Sequence, residues 1–371
     1  MSGKSYSETT DRLDSLFENT ASKNHNKNLT MAVESRDGTF KWKRGHEGGR
    51  EDSRPFFIAS IDKLMNAVFV MKLHESRVLH IDDKISRYLT PELTRKIHVM
   101  HGVDYSGEIT IRHLLSHTSG IADWLKDRPD NGKSVFERLT TEGDWEFQMD
   151  DLFALVRDGL KPHFPPRDLS SARLKARYSD TNFMLLISII ENLEGRPLHK
   201  IYESHFSEIF RNTFFIGQRT GVGQTDMIRL TANGEPLDIP DFLRSDRAIY
   251  STTSDLIAFM RNFINGELFA NPETMELMTA KWARFGFPLD AAALRAPGWP
   301  IKYGLGIMHF QLPRIFTLGK KLPAVIGHTG STGCWLFYCP ELDVILCGNT
   351  SEVNDGALPY RIVPGVLQAL I

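Results

Sequence analysis

Strand-like segments lie at both ends of this 371-residue chain, and helical patterns fill its middle. Near the start, residues 29–33 and 39–42 flank an Arg-Asp-Gly turn and predict a β-hairpin. Near the end, residues 334–338 and 344–347 flank a second turn and predict two further strands. Residues from about 85 to 240 instead alternate helical patches with long polar loops. This order favours an α+β fold, in which an antiparallel sheet built from both chain ends accommodates an inserted, mostly helical segment.

The same order predicts a division into two domains. We assign residues 1–84 and 241–371 to a domain formed by the sheet and its flanking helices, and residues 85–240 to a helical domain. An active site is then expected in the cleft between the two domains.

Composition excludes several classes of partner. The 44 basic and 46 acidic residues give a net charge of −2, so no nucleic-acid partner is expected. No apolar run approaches the roughly 18 residues that a membrane span needs, and the first residues do not resemble a signal peptide. These features predict a cytoplasmic protein. Cys334, Cys339 and Cys347 form no C-x-x-C pair and are expected to be small apolar residues in a reducing compartment.

Ser60 and Lys63 are the most chemically suggestive pair of residues in the sequence. They stand three residues apart at the start of an apolar run with helical spacing, so both side chains should share one helix face. An amine beside a serine hydroxyl can activate a nucleophile without a histidine. The alternative is a helix-capping serine followed by a solvated lysine, which the apolar neighbours disfavour.

Two later motifs complete a pattern. Tyr178-Ser179-Asp180 precedes an apolar helix, and Gly327-His328-Thr329-Gly330-Ser331 precedes a predicted strand. In this order and spacing, S-x-x-K, Y-x-D and H-T-G resemble the motifs of the penicillin-recognising serine hydrolases. That group includes class C β-lactamases, D-alanyl-D-alanine carboxypeptidases and β-lactamase-like, family VIII-type esterases. The resemblance extends over about residues 25–371 and includes residues 109–121 and the Y-G-x-G segment at Tyr303.

The resemblance implies a β-lactamase/transpeptidase-like fold and a role for each motif. Ser60 would be the nucleophile that forms an acyl-enzyme, and Lys63 would polarise it. Tyr178 would shuttle the proton, as base to Ser60 and as acid to the leaving group. The backbone N–H groups of Ser60 and Ser331 would form the oxyanion hole.

Substrate contacts are also implied by the resemblance. The strand carrying His328, Thr329 and Gly330 would hold the substrate along its edge, and Asp180 would face the same cleft. Trp124 follows a segment that approaches the site in this family, so it is expected either to line the cleft or to pack in the core.

Two positions depart from the family pattern. Asp180 replaces the usual asparagine and, if it lies beside Lys63, would favour the ammonium form of that lysine. We therefore predict that Lys63 stays charged and supports a readily deprotonated Tyr178. His328 replaces the lysine of β-lactamases, and a histidine is mostly neutral at pH 7, which favours neutral ester substrates over anionic ones.

The sequence thus predicts a serine hydrolase that cleaves small carboxylic esters without a metal or other cofactor. A D-amino-acid peptidase or amidase, or a β-lactamase, is the first alternative. An acyltransferase or a non-catalytic binding protein on the same fold is the second. The partner is a small-molecule ester or amide, and the oligomeric state is left open.

Overall fold

A computed structural model describes residues 6–24, 28–45, 54–218, 227–287, 297–317 and 319–371. Its strands are β1 (Thr30–Ser35), β2 (Lys41–Gly45), β3 (Phe56–Phe57), β4 (Val99–Met100), β5 (Val103–Asp104), β6 (Lys175–Ala176), β7 (Phe214–Phe215), β8 (Thr231–Ala232), β9 (Glu235–Pro236), β10 (Ile249–Ser251), β11 (Ala283–Phe285), β12 (Lys302–Tyr303), β13 (Met308–Phe310), β14 (Val325–Thr329), β15 (Trp335–Cys339) and β16 (Val344–Asn349). Its α-helices are α1 (Tyr6–Asn24), α2 (Asp62–Glu75), α3 (Pro91–Thr94), α4 (Ile111–Leu115), α5 (Val135–Glu142), α6 (Met149–Ala154), α7 (Asp180–Glu194), α8 (Leu198–Phe206), α9 (Pro240–Ser245), α10 (Thr253–Ile264), α11 (Pro272–Thr279) and α12 (Pro359–Leu370).

A large sheet joins the two ends of the chain. Its strands follow the order β2-β1-β16-β15-β14-β13-β12-β11-β6. The predicted hairpin is β1–β2, in which Thr30 pairs with Gly45, and β1 also pairs with β16 so that Thr30 faces Asn349. The prediction of a sheet built from both chain ends is therefore confirmed.

One strand of the sheet departs from the predicted antiparallel arrangement. β6 comes from the middle of the chain and pairs in parallel with β11, with Lys175 opposite Arg284. A strand of two residues is too short to show an alternating pattern, so no sequence pattern indicates it.

The apolar spacing of residues 301–310 predicts a single strand, but the structure has two short strands there. β12 and β13 pair with each other around a turn that contains Gly306 at a φ of 74°. A side chain at Gly306 would collide with Cβ of Ala67 in α2. The glycine therefore makes the turn possible and lets it pack directly on α2.

Apolar residues cover both faces of the sheet. On one face, α1 and α12 pack together against the strands, and their buried residues include Leu13, Phe17, Ile362 and Val363. On the other face, α2 and α10 contact the strands, and α7 packs on α2. The three cysteines are buried and free, as expected of small apolar residues.

The helices between residues 85 and 240 share an apolar cluster with α2 and α10. The separation into a sheet domain (1–84 and 241–371) and a helical domain (85–240) stays a proposal. For function, the important contact is that of α7 with α2, because these two helices carry Asp180 and Lys63.

Candidate active site

Ser60 lies in a short 3₁₀ turn, Ala59–Ile61, that leads directly into α2. The preceding residue, Ala59, has a φ of 43°, which is unusual for a residue with a side chain. Strained backbone of this kind persists only where the surrounding structure holds it, and it is frequent at functional sites. The turn places Ser60 at the wall of two adjoining cavities.

The end of β14 approaches the Ser60 turn closely. A Cβ atom at Gly330 would lie 2.8 Å from Cβ of Ala59 and 2.9 Å from the carbonyl oxygen of Ile58. The thiol of Cys334 donates to the same Ile58 oxygen at 3.0 Å. Only glycine fits this position, and the close approach brings Ser331 to the cavity that Ser60 lines.

Lys63 connects the first two motifs. Its Nζ donates to Oγ of Ser60 at 3.0 Å and lies 2.7 Å from Oδ1 of Asp180. Burial alone would lower the pKa of Lys63, but the carboxylates of Asp180 and Asp62 outweigh it, and the pKa is raised above its ordinary value. Lys63 is therefore an ammonium group that hydrogen-bonds the Ser60 hydroxyl.

Asp180 occupies the first turn of α7, where the helix dipole favours a negative charge. A second cation, Lys126, lies 3.4 Å from its Oδ2 and is almost fully buried. Burial would raise the pKa of Asp180, but Lys126 and Lys63 together hold it below its ordinary value. The site thus contains an ionised carboxylate between two ammonium groups.

Sequence reasoning did not identify Lys126. It stands between Asp123 and Asp127, and such a charged run usually marks a solvated loop. The apolar pair Trp124-Leu125 was the available sign of burial. Pairing with Asp180 depends on the packing of this loop against α7, where Oγ1 of Thr181 donates to the carbonyl of Ala122 at 2.6 Å.

Tyr178 is buried against both lysines. Nζ of Lys126 lies 4.7 Å from the centre of its ring, and Nζ of Lys63 lies 5.5 Å from it. Within the described residues no group meets full hydrogen-bond geometry with the Tyr178 hydroxyl, although the Ser60 hydroxyl is near enough to affect its pKa. Burial and Asp180 raise its pKa well above the ordinary value, and the Ser60 hydroxyl opposes this only in part. The resting tyrosine is therefore a neutral phenol, contrary to the expectation of a readily deprotonated one.

Three further carboxyl groups surround the ion pairs. Burial, reinforced by the neighbouring carboxylates, raises the pKa of Asp123 to about 7 and that of Asp246 to about 8. Burial also raises the pKa of Asp62 to about 6, against the effect of Lys63. Of the four buried carboxyl groups at the site, namely these three and Asp180, it is Asp180 that is fully ionised at pH 7.

His328 is fully buried and makes no contribution to the cavity walls described. Its Nδ1 lies 2.7 Å from the carbonyl oxygen of Thr329, which can only accept, so Nδ1 carries the proton. Nε2 then accepts from the Tyr303 hydroxyl at 2.8 Å. Burial lowers the pKa of His328 to about 3, so it is a neutral imidazole.

The other residues expected at the substrate lie as follows. Thr329, Gly330 and Ser331 line the larger cavity over Ser60, and Oγ1 of Thr329 is 2.8 Å from the Tyr360 hydroxyl. Trp124 is buried, with its ring packed against Phe147 and its indole N–H unpaired within the described residues. It borders the smaller cavity beside Ser60, so both of its expected roles have support.

Two residues that line the larger cavity, Ser60 and Ser331, have backbone N–H groups without an acceptor among the described residues. Across the described residues, neither Ser60 N–H nor Ser331 N–H donates to any backbone or side-chain group. Buried N–H groups are normally paired, so an unpaired couple beside a serine hydroxyl suits an oxyanion hole.

The larger cavity has a volume of about 300 Å³ and mainly apolar walls. Its apolar walls include Trp299, Ile301, Phe310 and Tyr360. Lys126 is the single charged side chain among the described residues that line it. The cavity therefore suits a small neutral group bonded to Ser60.

Two further features are absent from the part of the chain that is described, namely a metal-binding cluster and a membrane-spanning helix. No cluster of three or more histidine, cysteine or carboxylate side chains could hold a metal ion there. In the same ranges, no helix has the length and apolar character needed to cross a membrane.

Comparison with known proteins identifies the family. Residues 32–356 match the family described as Beta-lactamase, and the chain belongs to that family. It is 23% identical over 294 residues to the D-alanyl-D-alanine-carboxypeptidase/endopeptidase AmpH of Escherichia coli (strain K12), covering 76% of this chain and 66% of that protein. It is 32% identical over 136 residues to Esterase EstB of Burkholderia gladioli, covering 34% of this chain and 32% of that protein.

The matched segments span between about a third and two thirds of the curated relatives. Among solved structures, EstCE1, a hydrolase with promiscuous acyltransferase activity, superposes with a TM-score of 0.72 at 18% identity. That superposition covers 98% of this chain and 99% of EstCE1, and it confirms the fold predicted from the sequence.

Proposed function

We propose that this member of the beta-lactamase family is a serine hydrolase that cleaves small carboxylic esters through an acyl-enzyme on Ser60. The observation that carries the proposal is the 3.0 Å hydrogen bond from Nζ of Lys63 to Oγ of Ser60, at the wall of a largely apolar cavity. A hydroxyl in such a position can attack a carbonyl group that enters the cavity.

Acylation begins when Oγ of Ser60 bonds to the carbonyl carbon of the ester. The Ser60 proton passes to the oxygen of Tyr178 as the phenol gives its own proton to the leaving alcohol oxygen. A neutral phenol suits this relay because it has a proton to donate, and its raised pKa disfavours a free phenolate. The carbon–oxygen bond to the alcohol then breaks, which leaves an ester on Ser60.

Lys63 supports this step as a charge. Its ammonium group lies at hydrogen-bond distance from Oγ and stabilises the negative charge that develops there. Asp180 keeps Lys63 charged and fixes its position. The N–H groups of Ser60 and Ser331 would bind the carbonyl oxygen as it becomes an oxyanion.

Deacylation follows the same route with water in place of the alcohol. Water bonds to the acyl carbon and gives a proton to Tyr178, whose own proton returns to Oγ of Ser60. The products are a free carboxylic acid and the original Ser60 hydroxyl. An alcohol in place of water would give acyl transfer, which is the promiscuous activity ascribed to EstCE1.

The acyl group is proposed to be small and neutral. His328 is buried and uncharged, so it presents no cation to a carboxylate at the end of β14. The aromatic wall of the cavity favours an apolar chain. The name of EstB is consistent with ester hydrolysis, whereas the name of AmpH points to peptide substrates as the main alternative.

Burst kinetics test the proposal. With 4-nitrophenyl butyrate we expect a burst of nitrophenol equal to the enzyme concentration, followed by slower turnover, if deacylation limits the rate. Ser60→Ala abolishes both phases. Ser188→Ala is a matched control, because this α7 hydroxyl only donates to the Met184 carbonyl within its own helix.

Substrate panels separate the alternatives. If D-phenylalanine amide or a D-alanyl-D-alanine peptide is turned over at a higher kcat/KM than the ester, the proposed esterase activity is wrong and the protein is an amidase or a peptidase. If nitrocefin is turned over at a higher kcat/KM than the ester, the protein is a β-lactamase. Ser60-independent turnover of the ester would refute the proposal.

A further inference from the structure

A second cavity of about 290 Å³ adjoins the one over Ser60. The two cavities share Lys126, Tyr178, Pro297 and Gly298 as wall residues. A substrate bonded to Ser60 can therefore extend past Tyr178 into the second cavity. Nothing in the proposed chemistry uses this space.

The second cavity is strongly basic. Its described walls carry the four cations Lys126, Arg167, Lys175 and Arg177 against two carboxylates, Asp123 and Asp127. An apolar surface formed by Phe285 and Phe287 contributes to the same walls. We call this space the basic pocket.

The carboxylate of Asp127 is already fully engaged. It accepts from Nε2 of His163 at 2.7 Å and from the backbone N–H of Asp123 at 2.7 Å, and Arg177 lies 3.4 Å away. Asp123 is buried and accepts from the backbone N–H of Leu125 at 3.0 Å. Burial and Asp180 also raise the pKa of Asp123 to about 7, which reduces its negative charge.

Two cations of the basic pocket have no acidic partner among the described residues. Arg167 makes no ion pair there; its guanidinium lies 3.8 Å from the centre of the Phe164 ring, and its Nε is buried without a hydrogen-bond acceptor. Lys175 at the start of β6 likewise forms no ion pair in the described ranges. A guanidinium stays protonated even where burial lowers its pKa, so Arg167 carries a positive charge that no described carboxylate neutralises.

We propose that the basic pocket binds a carboxylate carried by the leaving-group side of the substrate. This inference rests on the proposed function, in which Tyr178 protonates the leaving oxygen and so places the departing alcohol beside its own ring. From that point the alcohol extends into the basic pocket, where its apolar body meets Phe285 and Phe287 and its carboxylate meets Arg167 and Lys175.

The substrate class that follows is an ester with a neutral acyl group and an acidic alcohol. His328 does not supply the cation that such a substrate needs, because it is buried and neutral. The basic pocket supplies it from Arg167 and Lys175, and this pocket shares Lys126 and Tyr178 with the larger cavity over Ser60.

A pair of acetate esters tests the inference. 4-Acetoxybenzoate and 4-acetoxybenzamide differ in the charge of the leaving phenol and have almost the same shape. We expect the wild-type kcat/KM to favour the benzoate about tenfold at low ionic strength, as for a charge-assisted hydrogen bond, and the preference to shrink with added salt. In Arg167→Gln/Lys175→Gln the preference should fall below about twofold while turnover of the benzamide persists.

The matched control is Lys200→Gln, which removes one exposed charge on α8 that pairs with Glu203. It should keep the wild-type preference. If the wild type hydrolyses the two esters with equal kcat/KM and turnover still needs Ser60, the proposed carboxylate binding in the basic pocket is wrong, whereas the proposed function stands. An Arg167-dependent preference for mono-4-nitrophenyl succinate over 4-nitrophenyl butyrate would overturn its assignment to the leaving-group side.

Direct binding keeps the test independent of turnover. Calorimetry should show that 4-hydroxybenzoate binds the wild type at least about tenfold more tightly than 4-hydroxybenzamide, and that the double variant loses this difference. The same loss is expected if no ester is hydrolysed, which would refute the proposed function and leave the anion site supported. No binding of 4-hydroxybenzoate would overturn the site.

Discussion

Replacing Asp180 with asparagine removes the carboxylate that lies between two buried ammonium groups, at 2.7 Å from Nζ of Lys63 and 3.4 Å from Nζ of Lys126. With an effective dielectric constant of about 20, the closer pair interacts by roughly 6 kcal/mol, which corresponds to about 4 pKa units. The variant therefore loses the main influence that raises the pKa of Lys63, while burial still lowers it. We expect Lys63 of Asp180→Asn to titrate between about pH 7 and pH 10.

The direction of the pH effect distinguishes two roles for Lys63. In the wild type its raised pKa keeps it charged throughout an assay from pH 6 to pH 10, and it contributes no step to the profile. In Asp180→Asn it is charged at the lower pH and neutral at the higher. If the ammonium form is required, kcat/KM of the variant falls as pH rises through the new pKa. If neutral Lys63 were the base, kcat/KM would rise.

The assay is kcat/KM for 4-nitrophenyl butyrate at matched ionic strength, with urea unfolding measured in parallel. We expect Asp180→Asn to lower the free energy of unfolding by about 3 kcal/mol or more, since two buried charges lose their partner. The control is Glu34→Gln, which removes an ion pair that lies away from the site. In this pair the Glu34 carboxylate is 2.6 Å from the guanidinium of Arg261. The control substitution should cost about 1 kcal/mol and keep the wild-type profile. A flat or rising profile for Asp180→Asn would refute the role given to Lys63.

Three further changes have defined outcomes. Lys126→Met removes the other cation at Asp180 and should lower kcat/KM for neutral esters at least about tenfold, because one charge-assisted contact is lost; stopped-flow acylation rates measure this. Gly306→Ala should lower the free energy of unfolding by about 2–3 kcal/mol in urea, through a collision with Ala67, whereas Gly266→Ala has a similar φ and open space and should cost about 1–2 kcal/mol. Burial lowers the pKa of His98 to about 4, so the unfolded chain binds a proton at this histidine more strongly than the folded chain does. The free energy of unfolding should therefore fall by up to about 1.4 kcal/mol per pH unit as the pH drops from 6.5 to 4. Urea titrations of His98→Leu should show a shallower loss over that range, and an unchanged slope would contradict the assignment.

Local sequence patterns predicted the parts of the fold that depend on near neighbours. The β1–β2 hairpin, the helix after Ser60 and the helix after Tyr178 all follow from turn residues and apolar spacing. Thr252 and Asp255 also have the spacing of a helix N-cap, and Oγ1 of Thr252 does accept from the N–H of Asp255 at the start of α10. Its reciprocal contact did not form, since the Asp255 carboxylate accepts from Thr213 instead.

Local sequence patterns did not predict the features that depend on contacts between residues far apart in the chain. β6 exists because β11 lies beside it, and the break between β12 and β13 exists because Gly306 packs on Ala67. In the site, the motifs indicated Ser60, Lys63 and Tyr178, but not Lys126, whose importance comes from Asp180. The family motif suggested a substrate-facing histidine at His328, and the structure places it in a hydrogen-bonded pair with Tyr303. A charged or buried environment is a property of the assembled chain, so no spacing rule reveals it.

The most direct test of the proposed mechanism is mass spectrometry of the intact protein mixed rapidly with 4-nitrophenyl butyrate and quenched in acid. We predict one butyryl group per chain, mapped by digestion to Ser60 and absent from Ser60→Ala. A butyryl group on another residue, or hydrolysis by Ser60→Ala at the wild-type rate, would contradict an acyl-enzyme on Ser60.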